Sequence, residues 1–461
     1  MSRTGTVLAF AVYLVMLVVV GLYARRRQQG FREWVTGGGA IPAWMLALSF
    51  LANFVSSNSF IGHSSKSWEV GLVWCVVGAM MVVACWISWT FFAPRFAAFA
   101  KEHAAETLPD FFRLRFRSEG VGKAAAALVL LATLFYVLAV MRGVALVVAS
   151  GLGISYPAAL LVVWAVVVAY CMLGGLWADV TTDVVQSSVL VVGAVALGAA
   201  VFFAEPIAVA GLAGPPAVSP APLGLVIAVG AGGAVKLLAD PKQVMVFYAF
   251  RDAAAARRFR VVGPLLLLVV YACLFPLGFL ARRIVWELPG GELEALVPHL
   301  VFDRLILGVP FAIVFMIALL AASMSSLDSA FLVMASNAEK HVVAPALGGR
   351  ASIVRTRLLL FGIATATLLL SLRPIGAIIE LTTFSGAIAA AMLPGIIAGF
   401  SSRDIPPGAV VASLILGACG AVAAKVVPSG SPWVQDVFGA MVLGALPLLY
   451  PWKPGAAPST A

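Results

Sequence analysis

The chain has 461 residues, 62% of them hydrophobic and only 11% charged, with a formal net charge of +10. Soluble domains average about 45–50% apolar and about 25% charged residues, so this composition excludes a soluble enzyme, a nucleic-acid-binding protein or a disordered scaffold. At roughly 20 apolar residues per membrane helix, the apolar content allows on the order of thirteen spans.

Thirteen apolar stretches are predicted to cross a bilayer: 5–24, 43–66, 70–97, 122–150, 156–174, 176–204, 222–249, 260–281, 305–338, 354–371, 376–400, 408–427 and 434–450. Pro42, Pro157, Pro264 and Pro407 fall near span starts, where a missing N–H costs little. The first span is not a cleaved signal: Arg3 alone precedes it, while Arg25, Arg26 and Arg27 follow it, the reverse of a secretory leader. The N-terminus is therefore expected outside. With strict alternation, the inside loops collect 21 lysines and arginines, Arg113, Arg115, Arg117, Lys242, Arg257 and Arg258 among them, and the outside segments six. That asymmetry fits thirteen spans with the C-terminus inside. The compact loops and Ala/Gly/Val-rich spans suit a bacterial inner membrane. The five cysteines lie in apolar stretches without CxxC spacing and read as small buried residues. No HExxH pairs the four histidines.

Two spans break their own pattern. Ala52-Asn53-Phe54-Val55-Ser56-Ser57-Asn58-Ser59 puts a polar run in mid-span, and the seventh span holds Gly230, Gly232 and Gly233, then Lys236, Asp240 and Pro241. Backbone that leaves the helix inside a bilayer must line a cavity or lie buried in protein. The two segments lie five spans apart, in the second and seventh. A discontinuous helix opening each half of an inverted five-plus-five repeat, with ligands at the repeat interface, is the architecture of a secondary transporter. The alternative is two kinked helices packed through small residues.

Several segments resemble the solute:sodium symporter family. Thr107-Leu108-Pro109-Asp110-Phe111-Phe112 with Arg115-Phe116 is similar to its TLPDFxxxRF motif. Gly174-Gly175-Leu176 with Thr182-Asp183-Val184-Val185-Gln186 is similar to GGLxAVxxTDVVQ, and Ala321-Ala322-Ser323-Met324-Ser325-Ser326-Leu327-Asp328-Ser329 to AAxMSSLxS. Gly37-Gly38, Ile41-Pro42-Ala43-Trp44 and Phe60-Ile61-Gly62 resemble the family's approach to its first core helix. The resemblance implies an all-α integral membrane protein of LeuT type. It places an extra span and loop at 1–42, a ten-helix core at 43–401, and two additional spans with a short tail at 402–461.

Carrying the family's sodium site across implies carbonyls of Ala52, Val55 and Ala322 with the hydroxyls of Ser325 and Ser326. These residue types suit a hard cation held by freed carbonyls and neighbouring hydroxyls. From the residues alone, serines that merely bond back to their own helix remain the alternative. Asp183 is an ionisable group within a span, which usually faces a partner, a cavity or an ion. In some members the positions of Asp183, Asp328 and Ser329 form a second sodium site, with serine where Asp328 stands. Three readings of Asp328 stay open: tighter cation binding, a proton-titrating carboxylate, or a salt bridge to Lys236 or Arg142.

Asn53, Ser56, Ser57 and Ser59 are expected to border a solute cavity, because lipid exposure would leave their polar groups unpaired. Sugar-transporting members often carry Asn where this chain has Phe54, so an organic anion or amino acid is favoured over a sugar. Lys236 and Arg142 lie within spans and need counter-ions, one candidate being a solute carboxylate. The alternative pairs Lys236 with Asp240 at i, i+4 and leaves Arg142 snorkelling. The expected function is sodium-coupled symport of a small organic solute across the lipid bilayer, with no further cofactor. The competing expectations are a proton-coupled carrier of the same fold and a transporter-like membrane sensor. The tail of about ten residues beyond the last predicted span argues against the sensor. An enzyme is disfavoured because no base or metal cluster accompanies Ser325 and Asp328.

Overall fold

The computed structural model describes residues 3–25, 30–56, 58–205, 218, 221–288, 291–303, 306, 308–373, 376, 378–401, 403–426 and 432–449. All its regular elements are helical, and each of the thirteen predicted stretches contains helix. Eight helices among the described residues are long and apolar enough to cross a membrane. Counting Phe31–Gly39 and Ala43–Phe54, bent by 112°, as one span makes nine. Shorter apolar helices occupy the predicted first, fifth, twelfth and thirteenth spans. Ser57, Arg26, Arg27, Arg304 and Lys453 lie outside the described residues.

The second span is helical over Ala43–Phe54, turns extended at Val55 (φ −84°, ψ 112°), and resumes over Asn58–Gly62 and His63–Val70. The seventh runs unbroken over Leu223–Ala239, straight through its three glycines, and breaks only at Asp240 (φ −65°, ψ 118°). Pro241 then opens the helix Pro241–Tyr248, capped by the Asp240 side chain on the Lys242 N–H at 2.9 Å. A proline without an N–H and an aspartate that caps are what a helix start needs. The glycines instead admit close packing: a Cβ on Gly230 or Gly233 would meet Met80 Sδ at 2.5 Å or Met81 Cε at 2.2 Å.

The fifth and sixth spans join as Tyr156–Phe203 with a kink at Gly175 (φ 49°, ψ −158°). A Cβ there would stand 2.6 Å from the Trp34 carbonyl, so backbone and packing both require glycine. This helix pair packs against the second and ninth spans. The ninth span, Gly308–Ala338, is buried along its Ala321–Ala335 stretch. Phe50 holds the first half of the second span in place. It meets Trp89 edge-on at 5.1 Å and stacks on Phe247, beyond the second break, at 5.7 Å. The region between the eighth and ninth spans, expected as loop, carries an apolar helical segment over Leu293–Phe302.

Candidate ion site and solute cavity

The helix that stops at Phe54 leaves its last carbonyls without intrahelical partners. The ninth span brings two hydroxyls to them. Ser325 Oγ lies 3.0 Å from the Ala52 carbonyl and 3.2 Å from that of Ala322. Ser326 Oγ lies 3.1 Å from the Ala322 carbonyl and 3.5 Å from those of Ala52 and Asn53. Ala52, Ala322, Ser325 and Ser326 are fully buried. The serines do bond back to their own helix, but they also reach across to the second span, which back-bonding does not require. Two hydroxyl protons face three carbonyls, so lone pairs remain for a cation. Val55 is the first extended residue of the break, its N–H still on the Leu51 carbonyl at 2.9 Å.

A carboxylate group lies beside these oxygens. Oxygens of Asp179, Asp183 and Asp328 approach within 4.8 Å of one another, all three residues buried. Asp183 Oδ2 accepts from Ser49 Oγ at 2.5 Å and Asn53 Nδ2 at 3.3 Å, while its Oδ1 has no hydrogen-bond partner among the described residues. Ser329 Oγ donates to Asp179 at 2.9 Å, and the Ser329 N–H to Asp328 at 2.8 Å. Asp183, Asp328 and Ser329 therefore meet as the resemblance implies. Asp179 is the member that sequence reasoning missed. Its signal was there: an acid within a span, four residues before Asp183 and so on the same helix face, where the motif has valine. Neither Lys236 nor Arg142 bridges Asp328. Lys236 Nζ meets the Thr382 carbonyl at 3.3 Å, and Arg142 sits 3.6 Å from Glu294 with a hydrogen bond to the Gly376 carbonyl.

On the other side of the first break opens a cavity of about 790 Å³, its mouth included. Ser56 and Ser59 line it as expected, with Asn58, Phe54, Tyr136 and Tyr271. Two expected members do not. Asn53 turns to Asp183 and Ser49, on the carboxylate side, and Arg142 lies away from the cavity with its partner Glu294. Lys236 lines the cavity, but its expected pairing with Asp240 does not form. The ammonium beside Asp240 is that of Lys242, at 3.9 Å. Counting Lys242 as an inside-loop charge is thus corrected. The residue is 3% exposed, lines the cavity, donates to the Asn53 carbonyl at 2.9 Å, and sits 3.6 Å over the Tyr136 ring. Charge counting along the chain could not see that a helix restarting at Pro241 turns this lysine inward.

The chain is similar to known proteins. Residues 34–212 match the model of the sodium:solute symporter family. The sodium/pantothenate symporter of Escherichia coli (strain K12) is 28% identical over 194 residues, 41% of this chain. That alignment spans only 40% of the relative's length. The osmoregulated proline transporter OpuE of Bacillus subtilis (strain 168) is 24% identical over 435 residues, 89% of this chain and 87% of its own. Over these stretches the chain is similar to the sodium:solute symporter family. A solved Na+-coupled sialic acid symporter in a substrate-bound outward-open state superimposes with a TM-score of 0.77 at 16% identity. The overlap covers 97% of this chain and 99% of that one. The protein is an all-helical integral membrane protein with a LeuT-type fold, as the resemblance implies.

Proposed function

We propose that this protein is a sodium-coupled secondary symporter that imports a small organic solute, an organic anion or amino acid in preference to a sugar, by alternating access. The carrying observation is the convergence of the Ser325 and Ser326 hydroxyls on carbonyls freed where the second span stops. Sodium enters from outside and binds between the second and ninth spans, through Ala52, Val55, Ala322, Ser325 and Ser326. It ties the broken span to the ninth and completes the cavity beside it. Solute binding closes the outer path, and loss of sodium to a sodium-poor interior loosens the site and frees the solute. The aspartate trio takes a second cation. The ten-helix core is 43–401, flanked by 1–42 and 402–461. The N-terminus lies outside and the C-terminus inside a bacterial inner membrane, as the loop charges support.

The test is thermal stability of the purified protein in sodium against potassium or choline at equal ionic strength. A cation that binds only the folded state adds about 2.7 kcal/mol at a hundred times its Kd. A sodium-specific rise that Ser325→Ala removes is the expected result. Equal stability in all three cations, with a response to falling pH instead, would replace sodium by the proton as the coupling ion. The three buried carboxylates are the feature that favours that second reading.

A further inference from the structure

We propose that Lys242 and Lys236 together bind the carboxylate of the solute, and that Lys242 is the residue through which sodium and solute sense each other; this rests on the sodium site proposed above. The first observation is charge. Two lysines but a single acid, Asp240, line the cavity. Asp240 already spends one oxygen capping the Lys242 N–H at 2.9 Å and stands 3.9 Å from the Lys242 ammonium. Lys236 has no carboxylate within 4.0 Å among the described residues and rests on the Thr382 carbonyl. Both ammoniums lie over the same Tyr136 ring, at 5.1 and 3.6 Å, so they point into one region. Two cations beside one acid, in a cavity walled by aromatic rings, suit an anion that is small and partly apolar.

The second observation is position. The Asn53 carbonyl that accepts from Lys242 Nζ at 2.9 Å also lies 3.5 Å from Ser326 Oγ. The ammonium is therefore two contacts from a hydroxyl of the sodium site, and its own cavity lies on the other side. Like charges this close inside a protein are weakly screened and repel. Lys242 also lies in the field of Asp179 and Asp183, and a cation placed among those groups cancels that pull. The lysine head is a point charge on a flexible four-carbon stem. Sodium thus turns Lys242 from the Asn53 carbonyl towards the cavity, where a carboxylate meets it. By linkage the carboxylate must strengthen sodium binding in return.

The experiment uses the purified full-length protein and thermal shift. Acetate, propionate, lactate, pyruvate and proline are each compared with the matching amide, in sodium and in choline. At least one carboxylate should stabilise where its amide does not. Its apparent affinity should be about tenfold better in sodium, within the ordinary range of coupling between sites. Lys242→Gln should weaken that carboxylate and bring the sodium-to-choline ratio towards one, and Lys242→Arg should restore both. Lys236→Gln should weaken the carboxylate while leaving the ratio. Carboxylate and amide acting alike overturns the proposal, as does Lys242→Gln keeping the coupling, or sodium stabilising while no carboxylate does. Should Lys242→Gln not fold, the arginine variant, Lys236→Gln and the amide series still decide. The sodium shift of the unliganded protein, and its loss in Ser325→Ala, reads the sodium assignment separately.

Discussion

Two groups of buried carboxylates lie on this chain, and they are built in opposite ways. In the first, Asp110 is 1% exposed and paired with cations: its Oδ1, without a hydrogen bond among the described residues, lies 3.5 Å from Arg113 and 3.8 Å from His341. Asp110 accepts from the backbone of Glu106 at 2.9 Å and Thr107 at 3.1 Å, and from Lys340 Nζ at 2.7 Å. Lys340 also meets Glu106, and the neighbouring Glu339, wholly buried, holds Arg355 at 2.6 Å. Thr107 and Asp110 form a capping box at the start of Leu108–Arg115, which gives the TLPDF spacing its physical reason. In the trio, by contrast, no Lys, Arg or His nitrogen comes within 4.0 Å of Asp179 or Asp183 among the described residues. Buried charge is costly unless paired. The first group finds its cations within the protein and works as a staple between the Leu108–Arg115 segment and the end of the ninth span. Asp179 and Asp183 carry no such pairing among the described residues.

The contrast makes opposite predictions for one chemical change. Asp110→Asn should cost about 3–5 kcal/mol of folding stability, the usual loss when one member of a buried ion pair is removed. Thermal or denaturant unfolding in sodium and in choline should show the same loss in both. Asp183→Asn should raise ligand-free stability by about 1–4 kcal/mol, since a neutral isostere replaces an uncompensated charge and can still accept from Ser49. It should also flatten the response to sodium. Equal losses in the two variants would erase the distinction between staple and site.

Acid sharpens the same comparison. Burial opposes ionisation of Asp110, but Lys340 and the hydrogen bonds outweigh it and hold the carboxyl below its ordinary range. A depressed folded pKa means that the group's stabilisation is fully present above the unfolded value, about 3.9 for aspartate. It is lost as pH falls through the lower folded value. The stability gap between wild type and Asp110→Asn should therefore hold at neutral pH and close only below about pH 4. A gap that closes near pH 6 would assign the staple to some other group.

Much of this was legible in the sequence because bilayers permit few solutions. Apolar runs, a polar break in the second span and motif spacing were enough for the helical class, the first break and the serines of the ninth span. Less legible was whatever depends on where a helix restarts. The glycines of the seventh span read as a break, yet helix continues through them, because neighbouring side chains (Met80 at Gly230, Val437 at Gly232 and Met81 at Gly233) fill the missing ones. The break came one turn after Lys236, and it carried Lys242 inward from what counting treated as a loop. Asn53 and Arg142 were placed by polarity alone, and polarity does not say which side of a helix a group faces.

The smallest of these effects tests how many carboxylates the trio needs. Asp179→Val puts back the residue of the family motif at that position. Valine occupies a similar volume, and Ser329 loses its acceptor but can bond back to the Ser325 carbonyl, as buried serines do on a helix. The unliganded protein should gain about 1 kcal/mol, less than with Asp183→Asn, because Ser329 loses its acceptor while asparagine keeps one for Ser49. The sodium response of the Ser325 site should survive, since Asp179 makes no contact with its carbonyls or hydroxyls in the structure. Any second, weaker cation response should fall. If Asp179→Val instead destabilises the protein in every cation, Asp179 behaves as Asp110 does, and the trio is scaffold.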